Sequence, residues 1–276
     1  MFLRSTLEAL ASVLAPAPCR LCAKPLLNAS RIPICPECLA SFVPIGEPMC
    51  QCCGRPFPAI VAEHATASGA APLTLCRLCR ENTFAFARAR SFGVYDTALH
   101  NAILLLKYEE LTRLGHWFAE RLAEVAAREA ELFQADVVVP VPLHPARQRE
   151  RGYNQAELIA RPLARRLGLR VERYLLARTR PRPAQLVLSR TEHWKSVRGA
   201  YATREGLKVD NLRVLLVDDV LTTGATLDAC ARALKKAGAA AVLGLTVARV
   251  RSAGTVPGSV VAAHAGRGQR KPSQVT

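Results

Sequence analysis

The sequence predicts an α/β protein with a parallel, doubly wound sheet, preceded by a smaller cysteine-rich module. Three apolar runs have the length and composition of buried strands and are separated by helical stretches: residues 136–141, 214–217 and 241–250. Strands that alternate with helices favour parallel pairing through right-handed crossovers. The module is indicated by four Cys-x-x-Cys pairs within residues 19–79. A length of 276 residues and a hydrophobic content of 50% suffice for one medium-sized domain and a small accessory one.

The cysteine pairs predict two structural zinc sites, a double zinc ribbon over residues 19–82. Two thiolates separated by two residues can hold one ion from a tight turn, and a second pair completes a tetrahedron. Sequential pairing leaves 12 residues between the pairs of the first site and 22 between those of the second. The ligands would be Cys19, Cys22, Cys35 and Cys38 in the first site and Cys50, Cys53, Cys76 and Cys79 in the second. Interleaved pairing and a disulfide framework are the alternatives.

The ends of the chain differ from its middle. Residues 1–18 predict a short amphipathic helix, with a secretory signal as the alternative, although Glu8 interrupts the apolar stretch. Residues 252–276 predict a disordered basic tail, since Gly, Pro, Ser and basic residues follow one another without periodicity. The main domain is expected over residues 83–251. Apolar runs shorter than ~18 residues predict no membrane span, and a cytoplasmic location is expected.

Charge indicates an anionic partner. Lys and Arg number 38 against 22 Asp and Glu, a formal net charge of +16. Residues 145–213 hold 17 Lys/Arg and 6 Asp/Glu, a net charge of +11. A small polyanion and a nucleic acid both satisfy this balance.

The elements of the main domain follow from hydrophobic periodicity. Strands are predicted over residues 84–95, 136–141, 214–217 and 241–250, and helices over residues 98–108, 112–133, 154–167 and 227–237. Lys107, near the end of the first helix, is predicted either as a solvated helix end or as a phosphate contact. Residues 174–200 are basic and broken by proline, and they are predicted to form a loop.

The segment RVLLVDDVLTTGAT, residues 213–226, has the order strand, acidic pair, small-residue loop and helix start. Free N–H groups at a helix start, together with threonine hydroxyls, bind phosphate. Adjacent carboxylates accept hydrogen bonds from neighbouring sugar hydroxyls, so the segment predicts a ribose 5-phosphate site. Its candidate residues are Asp218, Asp219, Thr222, Thr223, Gly224, Ala225 and Thr226. The alternative is an ordinary turn with a capping threonine and solvated acids.

Residues 214–226 resemble the phosphoribosyl pyrophosphate (PRPP) motif of type I phosphoribosyltransferases, and residues 19–250 resemble the ComF/GntX family of competence and DNA-utilisation proteins. The resemblance implies a type I phosphoribosyltransferase-like sheet behind a double zinc ribbon. It also implies that the protein binds Mg-PRPP and transfers the phosphoribosyl group to an unknown acceptor, with release of pyrophosphate.

Two further segments resemble the family's patterns. Residues 141–155 match its PVPL…R…RGYNQ signature, and in phosphoribosyltransferases this loop holds pyrophosphate. Residues 174–200 match an Arg…Gln…Leu…Arg pattern that implies a mobile loop over the reaction centre. The residues implied are Val141, Pro142, Leu143, Arg147 and Arg151 in the first segment and Arg178, Arg190 and Arg198 in the second. A solvated basic loop is the alternative for the first segment.

Two functions remain open from sequence. One is a phosphoribosyltransferase that uses Mg-PRPP. The other is a protein that keeps the fold and handles single-stranded DNA, with competence proteins as partners. Because many related enzymes dimerise, the resemblance also leads us to expect a homodimer.

Overall fold

The computed structural model describes residues 17–26, 32–57, 75–81, 84–130, 133–181, 190–204 and 206–251, without the side chains of residues 190, 191 and 193. The predicted disordered tail, nearly all of the predicted N-terminal helix and the end of the predicted ribbon at residue 82 lie outside these ranges. The helices described are α1 Pro36–Ala40, α2 Arg77–Glu81, α3 Thr97–Tyr108, α4 Leu114–Arg128, α5 Pro145–Arg151, α6 Gln155–Leu167, α7 Arg190–Val197 and α8 Ala225–Lys236. The strands are β1 Arg88–Val94, β2 Val137–Pro140, β3 Arg170–Val171, β4 Leu176–Arg178, β5 Tyr201–Thr203, β6 Arg213–Leu221 and β7 Ala241–Arg249.

Five of these strands form one parallel sheet in the order β1-β7-β6-β2-β3. Helices α3, α4 and α6 share one buried cluster with Leu215 and Leu243 on one face. Helix α8 and the β4-β5 hairpin share a second buried cluster with Val214 and Val242 on the other face. The predicted α/β class and parallel doubly wound sheet are confirmed.

Strand β6 is longer than the apolar run that predicts it. Residues 214–217 are fully buried, as a central parallel strand requires. The ladder then continues through the acidic pair, with Asp218 opposite Thr246 and Leu221 opposite Arg249. Polar residues are tolerated here because this is the carboxyl edge of the sheet, where ligands of open α/β sheets bind.

Local chemistry explains where the helices begin. Asp96 caps α3 by accepting from Leu99 N at 2.9 Å, and Asn154 caps α6 by accepting from Ala156 N at 3.0 Å. Part of the predicted basic loop is instead the short helix α5. Its start is favoured by Pro145 in the first turn and by His144 Nδ1, which accepts from Ala146 N at 3.3 Å.

The prediction that residues 174–200 form a loop is wrong for much of that segment. Strand β4 pairs antiparallel with β5, and α7 precedes β5. Leu176, Val197 and Tyr201 are buried in the same cluster as α8. Apolar residues spaced among arginines therefore anchor a small hairpin that the charge pattern conceals.

The N-terminal module covers the edge of the sheet at β1. Ile45 N donates to Phe92 O at 2.9 Å, and Val94 N donates to Val43 O at 2.9 Å. This short antiparallel stretch satisfies backbone groups that an edge strand would leave open. None of the helices in the described ranges is both long and apolar enough to cross a membrane.

Candidate functional site

The eight predicted ligands form two compact clusters with the sequential pairing. Cys19, Cys22, Cys35 and Cys38 make the first cluster, and Cys50, Cys53, Cys76 and Cys79 make the second, with the Sγ atoms of each within 4.8 Å of one another. The Sγ atoms of Cys53 and Cys76 are 3.7 Å apart, as are those of Cys22 and Cys35. A tetrahedral zinc with four sulfur ligands separates its sulfurs by about 3.8 Å. Both clusters therefore fit a zinc ion, and the interleaved alternative is wrong.

Each cluster contains the same kind of hydrogen bond, from a backbone N–H to a cysteine sulfur, which stabilises a thiolate. Cys35 N donates to Cys19 Sγ at 3.3 Å, and Cys76 N donates to Cys50 Sγ at 3.3 Å. In each cluster, the first cysteine of the second pair donates to the first cysteine of the first pair. None of the ten cysteines, all of which the structure describes, forms a disulfide. With four protein ligands each, these clusters would leave a bound zinc no open coordination position, as in structural sites.

The clusters lie on opposite faces of the sheet. Cys19 and Cys35 belong to the buried cluster that contains α3, α4 and α6. Cys50, Cys53 and Cys76 belong to the buried cluster that contains α8 and the β4-β5 hairpin. The N-terminal module is thus built into both sides of the main domain.

The predicted phosphate segment forms a tight connection from β6 to α8. Gly224 adopts a left-handed conformation with φ of 88° and begins the 12-residue helix α8. Thr223 Oγ1 accepts from Ala225 N at 3.3 Å. One small cavity here is lined by residues that include Asp218, Thr222, Gly224 and Thr226. The structure therefore brings one acid and the loop together as the sequence motif predicts.

The two acids lie in different environments. Asp219 is 5% exposed, forms an ion pair with Lys107, and accepts from Gln155 Nε2 at 3.4 Å. Burial raises its pKa, but the Lys107 ammonium and neighbouring hydrogen bonds outweigh burial and hold that pKa below the usual value. Asp218 is half-buried and accepts from Asp219 N at 2.9 Å. Burial and the adjacent Asp219 charge raise the pKa of Asp218 well above its usual value.

Lys107 forms an ion pair that neither sequence interpretation, a solvated helix end or a phosphate contact, predicted. Its side chain is 20% exposed, and its ammonium pairs with Asp219. Burial and then the Asp219 charge raise the pKa of the Tyr95 phenol to about 12. Gln155, whose side chain contacts Asp219, was part of the RGYNQ signature but had no predicted role.

The predicted pyrophosphate segment lies next to the acidic pair. Val141 N donates to Val217 O at 2.9 Å, and Asn154 Nδ2 donates to Val141 O at 3.0 Å. Pro142 and Leu143 follow at the same edge of the sheet.

Arg147 and Arg151, from α5, meet at the exposed ring of Tyr108. Arg147 Nη2 donates to its hydroxyl at 3.0 Å, and the Arg151 guanidinium lies 4.7 Å from the ring centroid. Arg151 also donates to Gln155 Oε1 at 2.5 Å. The two arginines therefore do share one location, on a tyrosine beside Lys107.

A cavity of about 450 Å³ opens beside this segment, and the sequence did not predict it. Its lining includes Pro142, Leu143, Arg149, Tyr174, Arg178 and Arg204. Of the other arginines predicted for the mobile loop, Arg198 is exposed after the end of α7, and the Arg190 side chain lies outside the described part. The hairpin that forms one wall was hidden in the segment predicted to be a loop.

Comparison with known proteins agrees with the fold. The phosphoribosyl transferase domain family matches residues 154–262. The DNA utilization protein YhgH of Salmonella typhimurium is 31% identical over 230 residues, 82% of this chain and 94% of that protein. Competence protein F of Haemophilus influenzae is 30% identical over 168 residues, 59% of this chain and 73% of that protein.

Solved structures give a weaker likeness. The glutamine PRPP amidotransferase from B. subtilis, complexed with ADP and GMP, matches with a TM-score of 0.34 and 23% identity. That match covers 49% of this chain, which spans only 26% of the amidotransferase. A purine phosphoribosyltransferase from Pyrococcus horikoshii matches with a TM-score of 0.31 and 17% identity, over 49% of this chain and 84% of that one.

The parallel sheet, the matched domain and the paired cysteine clusters define a phosphoribosyltransferase-fold protein with an N-terminal double zinc-ribbon module. The chain belongs to the ComF family, because it is 31% identical over 82% of its length to a DNA utilization protein and also matches competence protein F.

Proposed function

We propose that this protein binds Mg-PRPP at the carboxyl edge of its sheet and transfers the phosphoribosyl group to an acceptor. The observation that carries the proposal is the position of Asp218, half-buried in one small cavity with Thr222, Gly224 and Thr226 at the start of α8. A carboxylate beside the first N–H groups of a helix matches a sugar diol beside a phosphate. We further propose that it acts in the cytoplasm, in DNA use or nucleotide metabolism. The names of the relatives, DNA utilization protein and competence protein, support the role in DNA use.

Asp218 and Asp219 would have different roles. Asp219 is already held by Lys107 and Gln155, so it fixes the end of β6. Asp218 faces the cavity, and its raised pKa shows that its charged form is poorly stabilised there. A ribose hydroxyl that donates, with a divalent cation nearby, would stabilise that charged form. Ligand binding at this carboxylate should therefore lower its pKa.

The phosphate would bind at the loop from β6 to α8. The first N–H groups of a helix have no partner within it, and the helix dipole favours an anion at that end. Gly224 leaves the backbone accessible because it has no Cβ, and the hydroxyls of Thr222 and Thr226 line the same cavity.

The pyrophosphate would lie between residues 141–143 and the arginines of α5. Guanidinium groups donate paired hydrogen bonds to phosphate oxygens, and Arg147 and Arg151 already share one location. In the reaction, the acceptor's nucleophile bonds to ribose C1, the bond from C1 to the pyrophosphate oxygen breaks, and pyrophosphate leaves with that electron pair. The acceptor loses its proton. Magnesium bound with the substrate would neutralise pyrophosphate charge, while the protein supplies position and electrostatics.

The test is titration calorimetry of the zinc-loaded protein with PRPP and magnesium. Saturable, magnesium-dependent binding is expected in the unmodified protein, with loss in Asp218→Asn. Asp136→Asn is the matched control, because this carboxylate lies by the opposite end of the same strands, where it accepts from Arg213 N at 2.7 Å. Binding that is absent in the unmodified protein, or equal in Asp218→Asn, would refute the proposal. Pyrophosphate release with nucleobases and amines would then identify the acceptor.

The second candidate function is contact with single-stranded DNA, and one observation favours it. The exposed ring of Tyr174, in the lining of the larger cavity, lies 5.1 Å from the Arg173 guanidinium and 5.2 Å from that of Arg204. Aromatic rings between basic groups stack unpaired bases while the charges hold phosphates.

Salt and a conservative substitution distinguish this second function. A fluorescent oligonucleotide should bind at ~50 mM salt and weaken steeply as salt rises. Tyr174→Ala should cost about 1–3 kcal/mol of binding, whereas Tyr174→Phe keeps the stacking surface and should bind normally. Equal affinities of the alanine and phenylalanine variants would rule out base stacking at this tyrosine.

A further inference from the structure

Arg249, the last residue of β7, is fully buried between the second cysteine cluster and the loop from β6 to α8. On one side, Nε donates to Cys53 O at 3.2 Å and Nη2 lies 3.3 Å from Cys53 Sγ. On the other side, Nη1 donates to Leu221 O at 2.8 Å and to Thr222 O. One rigid guanidinium thus contacts a predicted zinc ligand and the candidate phosphate loop at once.

We propose that Arg249 is a positioning residue that couples metal occupancy of the second cluster to the conformation of the phosphate loop. A buried guanidinium is costly unless its charge and its donors are matched. Within the described residues, no carboxylate forms an ion pair with Arg249, and its partners are carbonyl oxygens and one sulfur. A metal-bound thiolate cluster would supply the missing negative charge.

The planar peptide bond explains how this contact would set the loop. The carbonyl of one residue and the N–H of the next belong to one trans unit and point in opposite directions. Because Arg249 holds the carbonyls of Leu221 and Thr222, the N–H groups of Thr222 and Thr223 point away from the guanidinium. Those N–H groups belong to the loop for which we propose phosphate binding, so the ligand part of this inference rests on the proposed function.

A second contact path runs along the same side of the molecule. Ala89 N donates to Cys52 O at 2.7 Å, which joins the second cluster to β1. A few residues earlier, Ala85 N donates to Asp228 Oδ1 at 2.7 Å in the first turn of α8. The ring of Phe84 lies against Gly224, where an added Cβ would be 3.1 Å from Cε1. Cluster, strand and loop are therefore in continuous contact.

The first experiment measures hydrogen exchange of residues 221–226 in the zinc-loaded protein and in Cys76→Ser, Arg249→Gln and the double variant. Each single change should speed exchange in this loop by roughly 30-fold or more, and the double variant should be no faster than the faster single one. Zinc content, measured in parallel, should stay at two per chain in Arg249→Gln. Equal loop exchange in Arg249→Gln and the unmodified protein, or additive effects in the double variant, would overturn the coupling.

Arg90→Lys is the matched control. Arg90 is 3% exposed and contacts the same turn, through Gln51 O at 3.0 Å, but its other partners are Glu129 and Ala89 O and not the loop. Its substitution should leave the zinc dependence of loop exchange intact. If Arg90→Lys speeds loop exchange as much as Arg249→Gln, the effect is general loosening and the coupling is refuted.

A measurement on the unmodified sequence covers the case in which Arg249→Gln does not fold. Replacement of zinc by ¹¹³Cd should give one resonance for each cluster, assigned through the one that Cys76→Ser loses. Mg-PRPP should shift the second-cluster resonance and leave the first unchanged. Calorimetric binding without such a shift would overturn the coupling. Failure of PRPP to bind at all would refute the proposed function, while loop exchange would still decide the coupling.

Discussion

The two cysteine clusters have the same ligands and the same backbone-to-sulfur hydrogen bond, yet they touch different parts of the molecule. The first is buried with α3, α4 and α6, and the second with α8 and the end of β6. Only the second has a buried polar link, through Arg249, to the candidate phosphate loop among the residues described. Two copies of one metal motif can therefore differ in function because their neighbours differ.

The links of the two clusters toward the site also differ in burial. Near the first cluster, Arg20 forms an ion pair with Glu109, just after α3, and these side chains are 44% and 47% exposed. Near the second cluster, the Arg249 guanidinium is fully buried. Exposed ion pairs contribute about 0–1 kcal/mol, whereas a buried group left without its partner costs about 1–3 kcal/mol or more. Changes around the second cluster should therefore affect the site more.

The largest effect should come from removing one ligand of each cluster in turn. Cys76→Ser and Cys38→Ser should each lower zinc content from two to one per chain and lower the melting temperature. Only Cys76→Ser should also increase the mobility of the phosphate loop. Reordering two backbone residues costs about 2–4 kcal/mol, a loss of roughly 30- to 1000-fold in Mg-PRPP affinity.

Calorimetry and metal analysis of the two variants check this expectation. Equal losses of affinity in Cys38→Ser and Cys76→Ser would show that the clusters act alike and would break the comparison. A correctly folded Cys38→Ser protein that binds PRPP normally would sharpen it.

The next largest effect should come from the ion pair between Lys107 and Asp219. Lys107 belongs to α3, which packs on the same face of the sheet as the first cluster. Asp219→Asn leaves a largely buried ammonium without its carboxylate. Removing one partner of a buried ion pair costs about 3–5 kcal/mol, and the value should fall near 3 because the Lys107 side chain keeps 20% exposure. Denaturant unfolding measures the change, and a loss below about 1 kcal/mol, typical of exposed pairs, would contradict this account.

Asp218→Asn is the companion change, and the pH dependence of stability separates the two acids. Folding raises the pKa of Asp218 above its unfolded value of about 3.9, so the folded state holds this proton more tightly. Its contribution to stability should therefore fall as pH rises from about 4 toward the raised pKa, and Asp218→Asn should abolish that fall. The lowered pKa of Asp219 has the opposite sign, so its contribution is lost as pH falls below about 4. Unfolding curves for both variants across this range would expose a reversed assignment.

Local chemistry explains which parts of the site could be predicted from sequence. The eight cysteine ligands follow from their spacing, although the spacing left sequential and interleaved pairing open until the structure grouped them. The order of β6, acids, loop and α8 follows from one continuous motif. The contacts of Lys107 and Arg249 could not be found in this way. Arg249 meets Cys53 across 196 positions, and a basic residue ending an apolar strand usually lies in solvent.

The hairpin of β4 and β5 illustrates a different limit of prediction. Its few buried residues are scattered through a segment dominated by arginine and proline, so periodicity gives too little signal. Their burial depends on the face of the sheet that α8 provides. Tertiary contacts of this kind decide the secondary structure of short, weakly patterned segments.

A smaller effect should come from the contact between Phe84 and the phosphate loop. Gly224 and Gly152 both have positive φ, 88° and 80°, but an added Cβ meets Phe84 at 3.1 Å only at the first of the two positions. Gly152→Ala should cost about 1–2 kcal/mol for the left-handed backbone alone. Gly224→Ala should cost about 1 kcal/mol more through overpacking, and it should weaken Mg-PRPP binding. Equal costs in thermal unfolding would mean that the loop does not depend on the segment after the second cluster.

The smallest effect should come from Arg20→Ala, which removes the exposed ion pair near the first cluster. The side chains of Arg20 and Glu109 are both largely hydrated when they are apart. The loss of stability should therefore stay within about 0–1 kcal/mol and shrink as salt rises. Mg-PRPP affinity should not change, although Glu109 follows Lys107 and Tyr108 closely in sequence. A double-mutant cycle with Glu109→Ala measures the pair directly. Coupling well above 1 kcal/mol, or a loss of PRPP affinity, would show that the first cluster also positions the site, since α3 would then transmit its influence to Asp219 through Lys107.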